Sequence, residues 1–339
     1  MKISFDKGIV IQQDGKKLYL DPSRKIKEKS EDVLVGITHA HSDHLKKHDA
    51  DTLMTPETRD LAGFYSQTSR YDEEIEFGDL SITQRNANHI LGASQFEIHN
   101  GKSVVYTGDI RLNKGFLFEK CPVINSDVLI IESTYGMPHF SFPSSEAVFE
   151  SIKHWVLEKQ EKGVNVVFGG YSLGKSQELI KVLNLIGVAP FVSSKIAEYS
   201  NVYVKNGVKL EFETYGEVAK EGLFLSPEAR EKMNSSSFVA VAPPHLINKQ
   251  LLQKFSFNGK ETTAALLTGW GSLYSFASKG VEKVFPLSDH ADFNQLLSYV
   301  EQAQPHLVYT VHGYAKEFAR EVKSKLGIPA YSLKEKARN

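Results

Sequence analysis

Five short runs of β-branched and apolar residues, each followed at once by a polar or flexible group, constrain this chain more than any other feature. Val33-Leu34-Val35-Gly36-Ile37-Thr38, Val104-Val105-Tyr106-Thr107, Val128-Leu129-Ile130-Ile131, Val164-Asn165-Val166-Val167-Phe168 and Leu307-Val308-Tyr309-Thr310-Val311 read as buried strands. The first leads into His39-Ala40-His41-Ser42-Asp43-His44, the second into Gly108-Asp109 and the third into Glu132-Ser133. The fourth leads into Gly169-Gly170 and the last into His312-Gly313. Polar groups on loops beyond buried strand ends are where rigid scaffolds usually carry chemistry. Helical patterns alternate with these runs, so the expected class is α/β or α+β, built of layered sheets and helices.

The 339 residues, 41% of them hydrophobic, suffice for one large or two ordinary domains. No stretch approaches the roughly 20 apolar residues of a membrane span. The start, Met1-Lys2-Ile3-Ser4-Phe5-Asp6, lacks the apolar core of a signal peptide, so a cytoplasmic protein with no membrane partner is expected. Cys121 is the only cysteine, which excludes intramolecular disulfides and thiolate zinc clusters. Any metal must take nitrogen and oxygen ligands, and Cys121 itself reads as an inert buried thiol. Lys plus Arg number 40 against 41 Asp plus Glu, so a polyanion would have to bind in a local basic cleft.

In an extended segment the side chains at 39, 41 and 43 point to one side and His44 follows at the turn, so three imidazoles and a carboxylate converge. Imidazole with carboxylate suits Zn²⁺ or Mn²⁺, and the lack of cysteine fits a catalytic rather than a closed structural site. His-x-His-x-Asp-His directly after a strand resembles the signature of the metallo-β-lactamase superfamily. That resemblance implies two divalent metals, zinc before manganese, and the remaining ligands occur in order along the chain. His89 in Asn88-His89-Ile90-Leu91-Gly92 matches the third histidine of the first metal, Asp109 the bridging carboxylate, and His312 the last histidine. The first metal would then take His39, His41 and His89, the second Asp43, His44 and His312, with Asp109 between them.

Ile131-Glu132-Ser133-Thr134-Tyr135-Gly136 and Leu287-Ser288-Asp289-His290-Ala291-Asp292 are similar to the acidic and histidine motifs of the β-CASP group, which cleaves nucleic acids. The implied fold is an αββα sandwich interrupted by an inserted β-CASP domain: residues 1–174, then an insert at 175–283, then a completing part at 284–339. In this reading the metals clamp a phosphodiester and activate water. Asp43 and Asp109 count as catalytic as well as metal-ligating. His290 is cast as the general acid and Glu132 as the carboxylate that orients it. Asp21 in Leu20-Asp21-Pro22 falls where the family has an aspartate behind a metal-bound histidine, and an Asp-Pro turn explains it equally well.

Gly169-Gly170-Tyr171-Ser172-Leu173-Gly174-Lys175-Ser176 satisfies the Walker A pattern between a strand and a helix expected at 176–185. A P-loop ATPase would also need a strand ending in an acid further along the same sheet, whereas Val128 to Glu132 precedes the motif. Lys175 and Ser176 are therefore expected to meet substrate phosphate at the helix start. Within the β-CASP group the chain most resembles the small ligase-associated DNA exonucleases, which favours a DNA exonuclease in repair, with a ligase or helicase as partner. A histidine at position 312 resembles the RNA-processing branch instead, so RNA remains an alternative substrate. A small-molecule metallo-hydrolase would not need Glu132, His290 and the insert together, and an idle binding protein would be expected to have lost ligands.

Overall fold

The computed structural model describes residues 1–219, 222–257, 259–270 and 280–336. Two compact units emerge: Met1–Lys114 with Glu119–Ser141 and Asp289–Asn339, and Gly115–Phe118 with Phe142–Ser288.

The first unit holds two sheets. One runs in chain order through β1 (Lys2–Phe5), β2 (Ile9–Gln13), β3 (Lys16–Leu20), β4 (Val33–Gly36), β5 (Asp51–Met54) and β6 (Gln67–Thr68). The other is built from β7 (Glu74–Phe77), β8 (Leu80–Asn86), β9 (Ser94–Asn100), β10 (Lys102–Tyr106), β11 (Val128–Glu132), β19 (Leu307–Val311) and β20 (Ala330–Ser332). Its spatial order is β20-β19-β11-β10-β9-β8-β7, so a strand from the far end of the sequence sits directly beside β11.

Period-two alternation explains how the sheets stack. Ile9, Ile11, Leu18, Leu20, Leu34 and Leu53 of the first sheet share one core with Ile82, Phe96, Ile98, Val104, Tyr106 and Ile130 of the second. The intervening Val10, Tyr19, Val33 and Val35 face the other way, into a cluster with Ile26, Ile37 and Met54. At Gly36 a Cβ would lie 2.8 Å from Leu20 and 2.9 Å from the Phe96 ring, so the sheets approach too closely there for any side chain. Helices α7 (Phe293–Ala303) and α8 (Ala315–Leu326) touch each other and pack on β11 and on β19 and β20 respectively, completing the αββα sandwich. A short helix, α1 (Pro56–Ala62), joins β5 to β6, and α9 (Leu333–Lys336) follows β20.

Register decides where the loops emerge. β10, β11 and β19 are parallel, with Tyr106 opposite Ile130 and Glu132 opposite Val311. The segments after all three therefore leave at the same edge. In the first sheet β3 and β4 are parallel with Leu20 opposite Gly36, which sends Asp21 and the 37–44 segment out together.

The second unit contains α2 (Ser145–Glu161), β12 (Asn165–Gly169), α3 (Lys175–Asn184), β13 (Phe191–Ser193), α4 (Ser194–Lys205), β14 (Glu213–Ala219), β15 (Gly222–Leu225), α5 (Pro227–Ser235), β16 (Val239–Ala242), α6 (Lys249–Lys254), β17 (Thr262–Leu267) and β18 (Val281–Phe285). Its sheet runs β15-β14-β13-β16-β12-β17-β18 and is parallel except for the β14–β15 pair. Val167, Phe191, Tyr215, Met233, Phe255 and Leu266 fill its core. The short arm at 115–118 belongs to this unit: the Phe116 ring meets Phe149 at 5.5 Å and the Phe118 ring meets Tyr203 at 6.1 Å. The 175–283 interval lies within this unit, which also takes in α2 and β12. Among the described residues no helix is long and apolar enough to cross a membrane.

Candidate metal centre

The 37–44 segment leaves β4 and does not stay extended. The backbone N–H groups of His44 and Leu45 both donate to the His41 carbonyl, at 3.0 and 2.8 Å, closing a turn. The grouping of 39, 41 and 43 by strand alternation thus holds only for the first pair, whose rings stand edge to face with centroids 4.9 Å apart. Asp43 is carried round by the turn, is 76% exposed, and still brings Oδ2 to 3.8 Å from His44 Nε2.

His39, His41, His89 and Asp109 form a group whose ligand atoms all lie within 4.8 Å of one another. Asp109 is the hub. Its Oδ2 stands 3.5 Å from His39 Nε2, 3.5 Å from His44 Nε2 and 3.7 Å from His89 Nε2. His312, exposed beyond β19, brings its ring centroid to 4.9 Å from that of His44. Of the ligands named from sequence, His39, His41 and His89 thus gather with Asp109, His44 reaches the same carboxylate, and Asp43 and His312 each stand beside His44.

Protons on the far side of these rings show what the near side offers. Thr38 Oγ1 donates to Asp21 Oδ2 at 2.6 Å, so it can only accept from His39 Nδ1, 3.0 Å away. His89 Nδ1 lies 2.8 Å from the Asp289 carbonyl, which cannot donate. His44 Nδ1 lies 2.8 Å from Asp21 Oδ2. With Nδ1 protonated in each, a neutral ring leaves its Nε2 lone pair on the Asp109 side, where His89 Nε2 also lies 3.0 Å from His41 Nδ1. His39 Nε2 is buried with no hydrogen-bond partner. Three lone pairs facing a buried carboxylate repel unless a cation lies among them, so these donors fit divalent metals, as nitrogen and oxygen ligands of this kind do.

The protonation equilibria tell the same story. Burial and the neighbouring imidazoles of His44, His89 and His41 hold His39 well below its ordinary range. Burial, then His290, lowers His89 to about 3. Burial would raise Asp109, but His44, His290 and His89 outweigh it and hold the carboxyl well below the usual range. Burial would lower His44, yet Asp109 and Asp21 lift it to about 10. In the absence of a cation, the carboxylates around Asp109 thus favour the charged form of a neighbouring imidazole, at His44 and, as described next, at His290.

Glu132, at the end of β11, is completely buried and accepts the Ile110 N–H at 2.8 Å. Both of its oxygens lie 3.2 Å from His290 Nδ1. That nitrogen is 4.0 Å from Asp109 Oδ2, and the His290 ring is 4.5 Å from that of His89. Burial would depress His290, and Glu132 with Asp109 reverses this, raising it to about 9. Asp21 accepts four hydrogen bonds: Thr38 N at Oδ1, and Thr38 Oγ1, His44 Nδ1 and Tyr106 OH at Oδ2. Asp21, Asn88 and His312 all have left-handed backbone, at φ 44°, 54° and 60°. Such strain in non-glycine residues gathers at functional sites. A cavity of about 630 Å³ is lined by Asp21, Asp43, Tyr106 and His312 among others.

Thr38, Tyr106 and Asp289 were not singled out from sequence. Thr38 and Asp289 adjoin His39 and His290, and their place in those motifs was the available signal. Tyr106 reads simply as a strand residue. Tyr135 and Phe140, shortly after Glu132 in the chain, are buried, whereas Tyr65 is 91% exposed. Cys121 is buried, and burial pushes its thiol up, in keeping with an inert residue.

In the second unit, Lys175 and Ser176 open α3 and both are buried. The Lys175 ammonium lies 5.3 Å over the Tyr171 ring. Ser176 Oγ donates to the Tyr171 carbonyl at 2.6 Å, and Gly174 N–H to Gln177 Oε1 at 2.7 Å. Loop groups that would cradle a triphosphate and its Mg²⁺ are thus engaged internally. The neighbours of β12, namely β16 and β17, end at Ala242 and Leu267 without an acid, and β11 with Glu132 belongs to another sheet.

A sandwich with histidines and aspartates gathered at one sheet edge defines a metal-dependent hydrolase. Residues 279–333 match the family model of the Zn-dependent metallo-hydrolase RNA specificity domain. The chain is 32% identical over 318 residues to a probable DNA ligase of Opitutus terrae, covering 88% of this chain and 28% of that one. It thus spans well under half of that relative. It is 24% identical over 402 residues to an RNase J-like protein of Methanocaldococcus jannaschii, covering 98% and 94%. A solved structure of a protein of unknown function from Enterococcus faecalis V583 shares the fold at a TM-score of 0.65 and 14% identity, over 91% of each chain. The chain belongs to the β-CASP nuclease group of the metallo-β-lactamase superfamily, whose members are metal-dependent hydrolases acting on nucleic acids.

Proposed function

We propose that this chain is a two-metal nuclease that hydrolyses phosphodiester bonds in DNA, acting from an end. The observation that carries the catalytic part is the convergence of three imidazole Nε2 atoms on Asp109 with their Nδ1 protons committed elsewhere. In this reading His39, His41, His89 and Asp109 hold one cation, and Asp43, His44, His312 and Asp109 hold the other. Zinc fits the imidazole-rich set best, with manganese able to replace it. Bound there, the cations would supply Lewis-acid charge that lowers the pKa of water and neutralises the phosphate. Glu132 fixes His290 through Nδ1, leaving His290 Nε2 as the atom that gives a proton to the departing oxygen. Asp21 keeps His44 Nδ1 occupied, so that Nε2 stays available as a ligand.

DNA is favoured by the 88% of the chain that aligns with part of a probable DNA ligase, and the same alignment supports a ligase as partner in repair. Attack from an end follows from the resemblance to the small ligase-associated exonucleases. RNA is the second reading, favoured by the match of residues 279–333 to an RNA specificity domain. The test is degradation of end-labelled single-stranded DNA and RNA of equal sequence with Zn²⁺ or Mn²⁺, alongside Asp109→Ala. Metal-dependent laddering of DNA alone, lost in the variant, is expected. Preferential loss of RNA would move the chain to the RNA-processing branch, and no cleavage of either would end the nuclease reading.

A further inference from the structure

Tyr106 closes β10 with its ring buried between the two sheets, yet its hydroxyl reaches the metal centre. The oxygen lies 3.0 Å from Asp21 Oδ2 and 3.4 Å from His312 Nε2. A buried phenol has to place its proton. The Asp21 oxygen is the nearer acceptor, so it takes that proton, and the His312 ring rests against the phenol oxygen. His39, His44 and His89 each have an orienting partner of their own, in Thr38, Asp21 and the Asp289 carbonyl. Among the described residues Tyr106 is the one hydrogen-bonding neighbour of the His312 ring. His312 needs such a neighbour more than the others do. It is exposed, it stands beyond the end of β19, and it has a left-handed backbone followed by Gly313 at φ 42°.

We propose that Tyr106 is a positioning residue for the second metal position. Its hydroxyl ties His312 to the Asp21 carboxylate that also holds His44, so one oxygen atom keeps the two histidines of that set in fixed relation. The first set reaches this link only indirectly, through Thr38, whose hydroxyl donates to Asp21 Oδ2 and faces His39 Nδ1. Loss of the hydroxyl should therefore weaken one cation selectively. The inference rests on the two-metal reading above.

The experiment is titration of metal-free protein with Co²⁺ followed by visible absorption, and with Zn²⁺ followed by calorimetry, for wild type, Tyr106→Phe and Thr38→Val. Tyr106→Phe keeps the ring that packs in the core, and melting of the metal-free forms checks the fold. Wild type should bind two equivalents. In Tyr106→Phe the first should bind as in wild type and the second about 10- to 100-fold more weakly, the usual effect of losing an outer hydrogen bond. Thr38→Val, which removes the partner of His39 and only one of the four donors to Asp21, should weaken the first equivalent more than the second. The ratio of the two affinities carries the result, so a general loss of stability cannot imitate it. Two equivalents bound by Tyr106→Phe with wild-type affinity would overturn the proposal. Wild type binding fewer than two would instead sink the two-metal reading, and this proposal with it.

Discussion

Asp21→Asn separates the two explanations of Asp21, because asparagine keeps the left-handed turn before Pro22 and loses only the charge and one acceptor. Asp21 is buried and accepts from Thr38 N, Thr38 Oγ1, His44 Nδ1 and Tyr106 OH, so every neighbour offers a proton. An amide has a single acceptor oxygen. With that oxygen toward the three donors at Oδ2, its NH₂ confronts Thr38 N–H, and an unsatisfied buried donor costs about 1–3 kcal/mol. The three remaining bonds pass from charged to neutral acceptors, each weaker by about 1 kcal/mol. The sum is a loss of about 4–6 kcal/mol in the metal-free protein. His44 also loses its anionic partner, which should lower metal affinity about 10- to 100-fold. Denaturant unfolding of the metal-free forms and metal titration of both proteins measure the two effects. A variant within about 0.5 kcal/mol of wild type, the range of uninvolved surface changes, and with unchanged metal binding would show that Asp21 only shapes the turn.

Three further outcomes are expected. Glu132→Gln should lower turnover about 10²- to 10⁴-fold, the range for general acid–base groups, while metal content measured by elemental analysis stays at the wild-type level; a parallel loss of metal would make Glu132 a support of the cage instead. Lys175→Ala should weaken nucleic-acid binding in a filter or anisotropy assay and expose no ATP turnover. A lower melting temperature with binding unchanged would assign Lys175 to the packing of the first turn of α3. His48 accepts the Ile26 N–H at Nδ1, and burial, with the nearby Lys25 ammonium, lowers it to about 4. Since the fold holds it neutral, the stability it contributes is present above pH 6.5 and is lost as the pH falls from there toward 4. Unfolding curves of His48→Gln should therefore lose less stability than wild type across that window, and equal slopes would refute the assignment.

The strands were legible because β-branched runs bounded by polar residues are a local signal, and β4, β10, β11, β12 and β19 lie where those runs are. The residues named as ligands could be found because each stands one to three residues beyond such a run or in a distinctive motif. Less legible was everything that depends on pairing between distant segments. Nothing near residue 307 announces that β19 will lie beside β11, and the turn at His41 follows from hydrogen bonds to one carbonyl rather than from residue type. The task of Tyr106 was hidden because one residue serves two ends: its ring follows the apolar pattern of a strand, while its hydroxyl answers to residues 85 and 206 positions away. The arm at 115–118, with two phenylalanines in a loop, gave no hint that it belongs to the second unit.

The placement of β19 also sets an order of events during synthesis. Asp21, the histidines at 39 to 44, His89 and Asp109 leave the ribosome early, but His290 and His312 follow only after all of the second unit has been made. That unit is nearly continuous in sequence and can begin to fold while the first still lacks β19, α8 and β20. The nascent chain therefore carries an incomplete, histidine-rich site for the whole time that residues 142–288 are being translated, and the seven residues proposed as ligands are present together only once residue 312 has been added.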